Sequence, residues 1–420
     1  MPRSPETLAA PGDAAPGGGS AAPPRGRAAT ALLALLGALT TFGPLSLDMY
    51  LPAFPELAAG LGTTHSQVQL TLTACVVGLA AGQLFGGPLS DRWGRRRPAV
   101  VGALAYLVAS LLCAVAPSAA ALTGLRLLQG LAGGIGVVVA RAVVRDLYSG
   151  VEAARYFSRL TLVFGVAPIV APALGSLVLT VTSWRGVFVV LAAIGGLLAL
   201  AAARWLPETL PRARRSTGGV RDTLRTLRAL GTDRRYVGYA LTQGLAFSGL
   251  LTYLAGSPFL LQEVFGLSHG AYSAAFAANA VALVLASQLN LRLLRRYGSR
   301  RLLAAALLAG AASAAALLGA VLAGSLPAVL VALFLYLGSL GAVLPNSTAL
   351  ALDRHPHRAG TAAAGIGAVG ALTGTLLTPL AGLGDGGNGL SMALVVLAGA
   401  VLAPVALRAL AREPAAPRTG

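Results

Sequence analysis

The chain has 420 residues, of which 56% are hydrophobic and only 11% charged, and its mean hydropathy is +0.74. A soluble chain of this length needs far more polar surface, which excludes an ordinary globular soluble protein. Its basic side chains, 32 in all, are every one arginine and give a formal net charge of +18. They stand in short clusters beside apolar stretches, where topology and anionic lipid account for them and a nucleic-acid-binding face does not.

In chain order, residues 1–28 are rich in Pro, Gly, Ala and Ser and read as a disordered cytoplasmic tail. A cleaved signal peptide is the competing reading, but the apolar run that follows carries Asp48 and continues for over 20 residues, as an uncleaved span does. Spans are predicted at 29–51, 67–89, 99–116, 120–144, 157–181, 186–205, 236–256, 271–293, 301–323, 327–350, 359–383 and 389–410. Most approach the roughly 20 residues that a membrane helix needs, and lipid-exposed backbone must satisfy its own hydrogen bonds, so every span is read as α-helix. With a cytoplasmic N-terminus, 29 of the 32 arginines fall in tails, cytoplasmic loops or the cytoplasmic ends of spans; Arg185 is external, and Arg126 and Arg141 lie inside span four. That is the positive-inside pattern of a multi-pass membrane protein. The expected organisation is a tail (1–28), six spans (29–205), a polar cytoplasmic loop (206–235), six more spans (236–410) and a short cytoplasmic tail (411–420). The halves echo each other after their second spans, where Asp91-Arg92-Trp93-Gly94-Arg95-Arg96 meets a counterpart in Arg295-Arg296-Tyr297-Gly298-Ser299-Arg300 that lacks the acid.

Of the 14 acidic residues, only Asp48 lies within a predicted span. A carboxylate in hydrocarbon is costly unless paired, hydrated or protonated. One reading places it near the outer interface, solvated and capping the end of span one. The other makes it a proton and cargo site, with Arg126 as the facing cation because the two residues stand at comparable depth. A lone arginine in a span can equally tether helices. Arg141, 15 positions beyond Arg126, falls about 22 Å along an ideal helix, near the inner surface; gating contacts are expected of it. Gly130, Gly133 and Gly134 give span four a face that permits close helix approach.

In span five, Gly165, Pro168, Pro172 and Gly175 share one face, and each proline removes an amide donor, which predicts a bend. The loop around Asp91 reads as a latch: Arg92, Arg95, Arg96 and Arg97 surround the acid, which pairs with a neighbouring arginine and with the N-terminal end of a facing helix near Ala359. A purely topogenic basic loop is the alternative. Tyr50, Gln129, Gln243, Phe247, Tyr253, Asn279 and Asn346 are candidates for the wall of a central cavity. His355 and His357 lack the acidic or thiol partners a metal site needs, while His65 and His269 fall in external loops. A phosphate-binding GxxxxGK[ST] loop cannot occur without lysine, which disfavours transport driven by ATP within this chain. The two cysteines, Cys75 and Cys113, read as small buried hydrophobes.

The segment from Gly86 to Arg97, with Gly87, Asp91, Arg92, Gly94, Arg95 and Arg96, resembles the hallmark loop of the major facilitator superfamily. Asp48-Met49-Tyr50-Leu51-Pro52, Arg126-Leu127-Leu128-Gln129-Gly130 and the Gly165–Gly175 stretch narrow the likeness to drug:proton antiporters of the bicyclomycin-resistance type. The resemblance implies an all-α fold of twelve transmembrane helices in two six-helix bundles. It also implies an inner-membrane transporter, not an enzyme, that works without a cofactor on the proton gradient. Small, mostly apolar drugs leave as protons enter, and a monomer in the bilayer suffices. A metabolite importer or uniporter of the same fold is the alternative. Some relatives carry a second acid two turns before Asp48, where this chain has Thr40 and Thr41.

Overall fold

The computed structural model describes residues 26–215, 225, 227–353, 355, 359–382 and 389–411. Among them every regular element is helical: α1 (Arg27–Thr40), α2 (Phe42–Asp48), α3 (Phe54–Gly60), α4 (His65–Trp93), α5 (Arg96–Ala114), α6 (Ala119–Leu147), α7 (Gly150–Leu179), α8 (Trp184–Trp205), α9 (Arg234–Pro258), α10 (His269–Leu322), α11 (Leu326–Leu352), α12 (Ala359–Leu377) and α13 (Leu390–Leu410). Eleven segments among the described residues are long and apolar enough to cross a membrane. Leucines such as Leu197, Leu200, Leu289 and Leu335 face outward from them, as an apolar solvent demands.

The predicted first span is broken. Pro44 and Pro52 lack the amides that would bond the carbonyls of Thr40 and Asp48, so α1 stops at Thr40 and α2 at Asp48. The Thr40 and Thr41 hydroxyls bond back to the carbonyls of Gly37 (2.6 Å) and Ala38 (2.7 Å), which further loosens the ladder there. A 3₁₀ turn (Leu51–Ala53) and α3 then extend the segment to Gly60.

α10 runs 54 residues, about 80 Å if straight, which is far beyond a hydrocarbon core of roughly 30 Å. It is interrupted at Gly298, whose φ of 72° and ψ of 156° are not helical. Gly94, its counterpart in the sequence echo, has φ 88° and ψ 174°. The two loops therefore share a backbone conformation reserved for glycine, which turns a short sequence likeness into a structural one.

Close crossings fix the helix positions. A Cβ on Gly78 or Gly82 of α4 would lie 2.2 or 2.1 Å from the carbonyl oxygens of Leu127 and Leu131 in α6, and one on Gly130 would lie 2.1 Å from the Cys75 oxygen. The later half repeats this device: a Cβ on Gly341 of α11 would meet the Leu283 oxygen of α10 at 2.3 Å. Elements up to Trp205 pack mainly on one another, as do those from Arg234 onward, and the two sets meet along α4 against α12 and α7 against α10.

Candidate functional site

Asp48 is buried, 5% exposed, at the C-terminal end of α2. Its partner is not the expected one. Arg126, wholly buried, donates from Nη1 to Gln129 Oε1 (2.5 Å) and from Nη2 to the Ser46 carbonyl (2.6 Å), and its guanidinium lies 4.2 Å from the Tyr50 ring centroid. Asp48 has no hydrogen-bond or ion-pair partner among the described residues, and the groups within its electrostatic reach are Tyr253 and Tyr272 of the later half. The expectation of an Asp48–Arg126 pair is therefore corrected: the two share depth but not direction, because the helix ends at Asp48 and the chain turns through Leu51–Ala53.

The arginine anchors a polar network inside the first half. Gln129 Nε2 donates to Ser110 Oγ (2.7 Å), Ser110 Oγ to the Tyr106 carbonyl (2.7 Å), and the Tyr106 and Ser46 hydroxyls lie 2.7 Å apart. Tyr50 bonds Thr71 (3.0 Å) and packs on Phe54 and Phe188. Tyr50 and Gln129 are thus built into the bundle and do not face an open cavity. Tyr106 and Ser110 escaped the sequence reading because one tyrosine and one serine in an apolar span carry no pattern.

In the later half Asn279 donates to Tyr253 (3.0 Å) and Asn346 to Asn290 (2.7 Å), all four side chains being buried. Gln243 Oε1 accepts from Ser347 (3.1 Å) and Thr348 (2.6 Å), and with Phe247 it remains half-buried. Of the candidates for the cavity wall, these two keep accessible surface.

Span five stays one helix, α7, through both prolines. A Cβ on Gly175 would fall 1.8 Å from the Met49 carbonyl oxygen, so this glycine seats α7 directly behind Asp48. Ser273 of α10 donates to the Pro172 carbonyl (3.0 Å) and lies 2.6 Å from the Ser176 hydroxyl. Gly165, by contrast, has nothing near its missing Cβ, and Pro168 is half-buried.

The hydrogen bonds and ion pairs described between the halves gather at the arginine-poor end. Besides the serine pair, Gln262 donates to the Pro52 carbonyl (3.2 Å), Ser66 to the Pro379 carbonyl (3.3 Å), and His65 pairs with Glu263 (3.1 Å).

At the opposite end, Arg95 is buried and donates to Asp91 (2.5 Å), Ser90 (2.7 Å) and Asp146 (2.7 Å). Burial pulls its pKa down, but the bonds and charges of Asp146 and then Asp91 prevail and leave it raised. Glu208 accepts from the Arg95 amide (2.8 Å) and Thr209 donates to Asp146 (2.9 Å). Asp91 thus pairs within its own half, and the side chain of Ala359 lies outside the described residues. Gly94 is confined by Glu208 (2.2 Å from a Cβ), and Gly87 sits at ordinary distance from Val138. Arg96 donates to the Ala203 carbonyl, whereas Arg92 and Arg141 are exposed. An acid in the Pro207-Glu208-Thr209 stretch of a basic loop was the available signal for this cluster.

The sequence matches the Major Facilitator Superfamily over residues 34–379. The chain belongs to that superfamily. It is 37% identical, over 93% of its length and 98% of the relative's, to the uncharacterised MFS-type transporter YdgK of Bacillus subtilis. A bicyclomycin resistance protein homolog from Haemophilus influenzae is 32% identical over 82% of this chain and 88% of that one. The multidrug resistance protein MdtL of Escherichia coli is also 32% identical, over 58% and 61%. Among solved structures, a bacterial homolog of the lysosomal transporter Spinster in an inward-facing, occupied conformation superposes with a TM-score of 0.72 at 16% identity, covering 94% of this chain and all of that one. A D-xylose-proton symporter gives 0.72 at 15%, covering 92% and 98%. At such identities the likeness is of fold. As a superfamily member the chain is a multi-pass membrane transporter of the bacterial cell membrane and not an enzyme.

Proposed function

We propose that this protein is a proton-coupled antiporter that exports small, mostly apolar drugs or xenobiotics by alternating access. Counting α10 as two crossings joined at Gly298 gives twelve, with both termini and the arginine-rich loops cytoplasmic. Residues 29–205 and 236–410 are then the two rocking bundles, and 206–235 the loop between them. The drug-resistance names of two relatives support the cargo class, and protons are the counter-cargo.

The observation that carries the reading is Asp48: a buried carboxyl without a bonding partner among the described residues, at the joint between the bundles, with the span-five motif at its back through Gly175 and Met49. A group so placed is neutral when cargo is absent and gives up its proton when the site is occupied or opened to the alkaline side, so proton and cargo occupancy are linked at one position. Tyr253 and Tyr272 supply the opposing wall from the second bundle. Arg126 acts indirectly, holding the broken end of span one through Ser46. Gln243 and Phe247 contact cargo.

The test is gradient-driven efflux of a fluorescent-drug panel in cells stripped of their own pumps. Asp48→Asn is expected to reach the membrane at normal levels and lose export; retained pH-dependent efflux would overturn the reading. Vesicles of both orientations under an imposed pH gradient separate an exporter from an importer of the same fold.

A further inference from the structure

The seam at the arginine-poor end contains an ion pair that joins the two halves, and one of its members is a histidine. His65 opens α4, and its Nε2 lies 3.1 Å from Glu263 Oε2, with side chains 34% and 36% exposed. The imidazole stacks on Phe259, centroids 3.9 Å apart and planes 20° from parallel, which fixes its aim. Glu263 sits on a π-helical turn, Phe259–Val264, directly after Pro258; such turns are uncommon and concentrate at functional positions. Its neighbour Gln262 donates to the Pro52 carbonyl, four residues beyond Asp48, and bonds His269 Nδ1 at 2.7 Å. The turn that carries the acid therefore also grips the segment that carries Asp48. Beside it lies a cavity lined by His65, Gln69, Phe259, Leu260 and Met392. Gln69 is 2% exposed, and its Oε1 has no hydrogen-bond partner among the described residues.

We propose that His65 is a second proton site of this protein, open to the external side, and that its protonation clamps the outer face shut through Glu263. A neutral imidazole makes an ordinary hydrogen bond to the carboxylate; the imidazolium makes a charge-assisted one. The pair exists only while the halves meet, so protonation favours closure and closure favours protonation. External acid thus promotes closure of the outer face, and the inference rests on the antiporter reading for the sense of inside and outside. Other charged groups near the seam are engaged elsewhere: His269 faces Gln262, Glu56 accepts from the Trp184 amide (3.3 Å), and Arg185 lies over the Trp184 ring (4.2 Å). The Thr378–Gly382 turn and the first residues of α13 contribute no titratable side chain, and Asp385 lies outside the described residues. At one-third exposure the pair shifts the open–closed ratio about two- to five-fold.

The experiment places a reporter thiol at the seam, Leu260→Cys, where the native side chain is buried, and reads its labelling by a membrane-impermeant maleimide. Right-side-out vesicles without a gradient are compared at about pH 5.5 and about pH 8, which bracket an imidazole's titration. The thiol's own pH response is common to every variant and cancels in their ratio. Relative to the reporter alone, His65→Asn and Glu263→Gln are each expected to flatten the alkaline-to-acid labelling ratio about two- to five-fold, and His65→Arg to keep labelling slow at both values. An unchanged ratio in Glu263→Gln overturns the proposal even where the histidine variants insert poorly, as does a ratio that follows His269→Asn or Asp385→Asn instead. Labelling needs neither cargo nor a gradient, so loss of the export reading and loss of the clamp are separate results.

Discussion

Arg126 and Asp48 are both buried polar side chains in the first bundle, yet their energetic situations are opposite. The arginine satisfies the Ser46 carbonyl and Gln129 and stacks on Tyr50, so it tethers α2 to α6. Lysine cannot reproduce that fork, and Arg126→Lys is expected to cost about 1–3 kcal/mol, seen as a lower thermal unfolding midpoint in detergent. Asp48 has no bond to lose among the described residues, and an amide is neutral without taking up a proton on folding, so Asp48→Asn is expected to unfold at the same temperature or higher at neutral pH. An unfolding midpoint for Asp48→Asn as low as that of Arg126→Lys would mean that the acid is structural. The sequence made both residues conspicuous as charges at like depth in hydrocarbon. It could not supply their azimuths, because those follow from the helix end at Asp48 and the turn at Pro52, and hence the missing pair.

At the scale of helices, glycine positions divide into those that set a crossing and those that do not. α4 and α6 approach so closely that Gly82 and Gly130 have carbonyl oxygens where a side chain would stand. Gly82→Ala or Gly130→Ala therefore forces the helices apart and is expected to destabilise by about 1–3 kcal/mol, whereas Gly165→Ala fills open space and is expected to be neutral in the same unfolding assay. Gly175→Ala belongs with the first group and pushes α7 off Met49, so it is expected to impair transport as well as stability. The all-helical fold and the order of its apolar spans were legible because apolar length is a strong signal, and the glycine face of α6 was read from spacing. The breaks in span one were not, although Pro44 and Pro52 stood in plain view, because apolar character runs through them unchanged. Nor was the π-helical turn after Pro258, which has no sequence signature of its own.

Across the whole molecule the two ends respond differently to protons. The seam between the halves at the arginine-poor end includes a histidine, while the arginine-rich end is organised around Arg95, which joins Asp91 and Asp146 of the first bundle to Glu208 of the loop that follows it. The Arg95 pKa is raised in the folded protein, so the stabilisation it provides is fully present below the ordinary arginine range and is lost only as pH rises through the folded value. Nothing in that window touches physiological pH. Arg95→Gln strips the nearly buried Asp146 of its cation and is expected to cost about 2–3 kcal/mol, by an amount that stays constant between about pH 6 and about pH 9. Because Arg95, Asp91 and Asp146 belong to one bundle and Glu208 to the loop that follows it, none of them at the seam, the same variant is expected to leave the pH ratio of labelling at Leu260→Cys unchanged. Unfolding curves across pH, read beside the labelling ratio, check both; a cost that grows toward alkaline pH, or a shifted ratio, would place the Arg95 cluster in the moving interface instead.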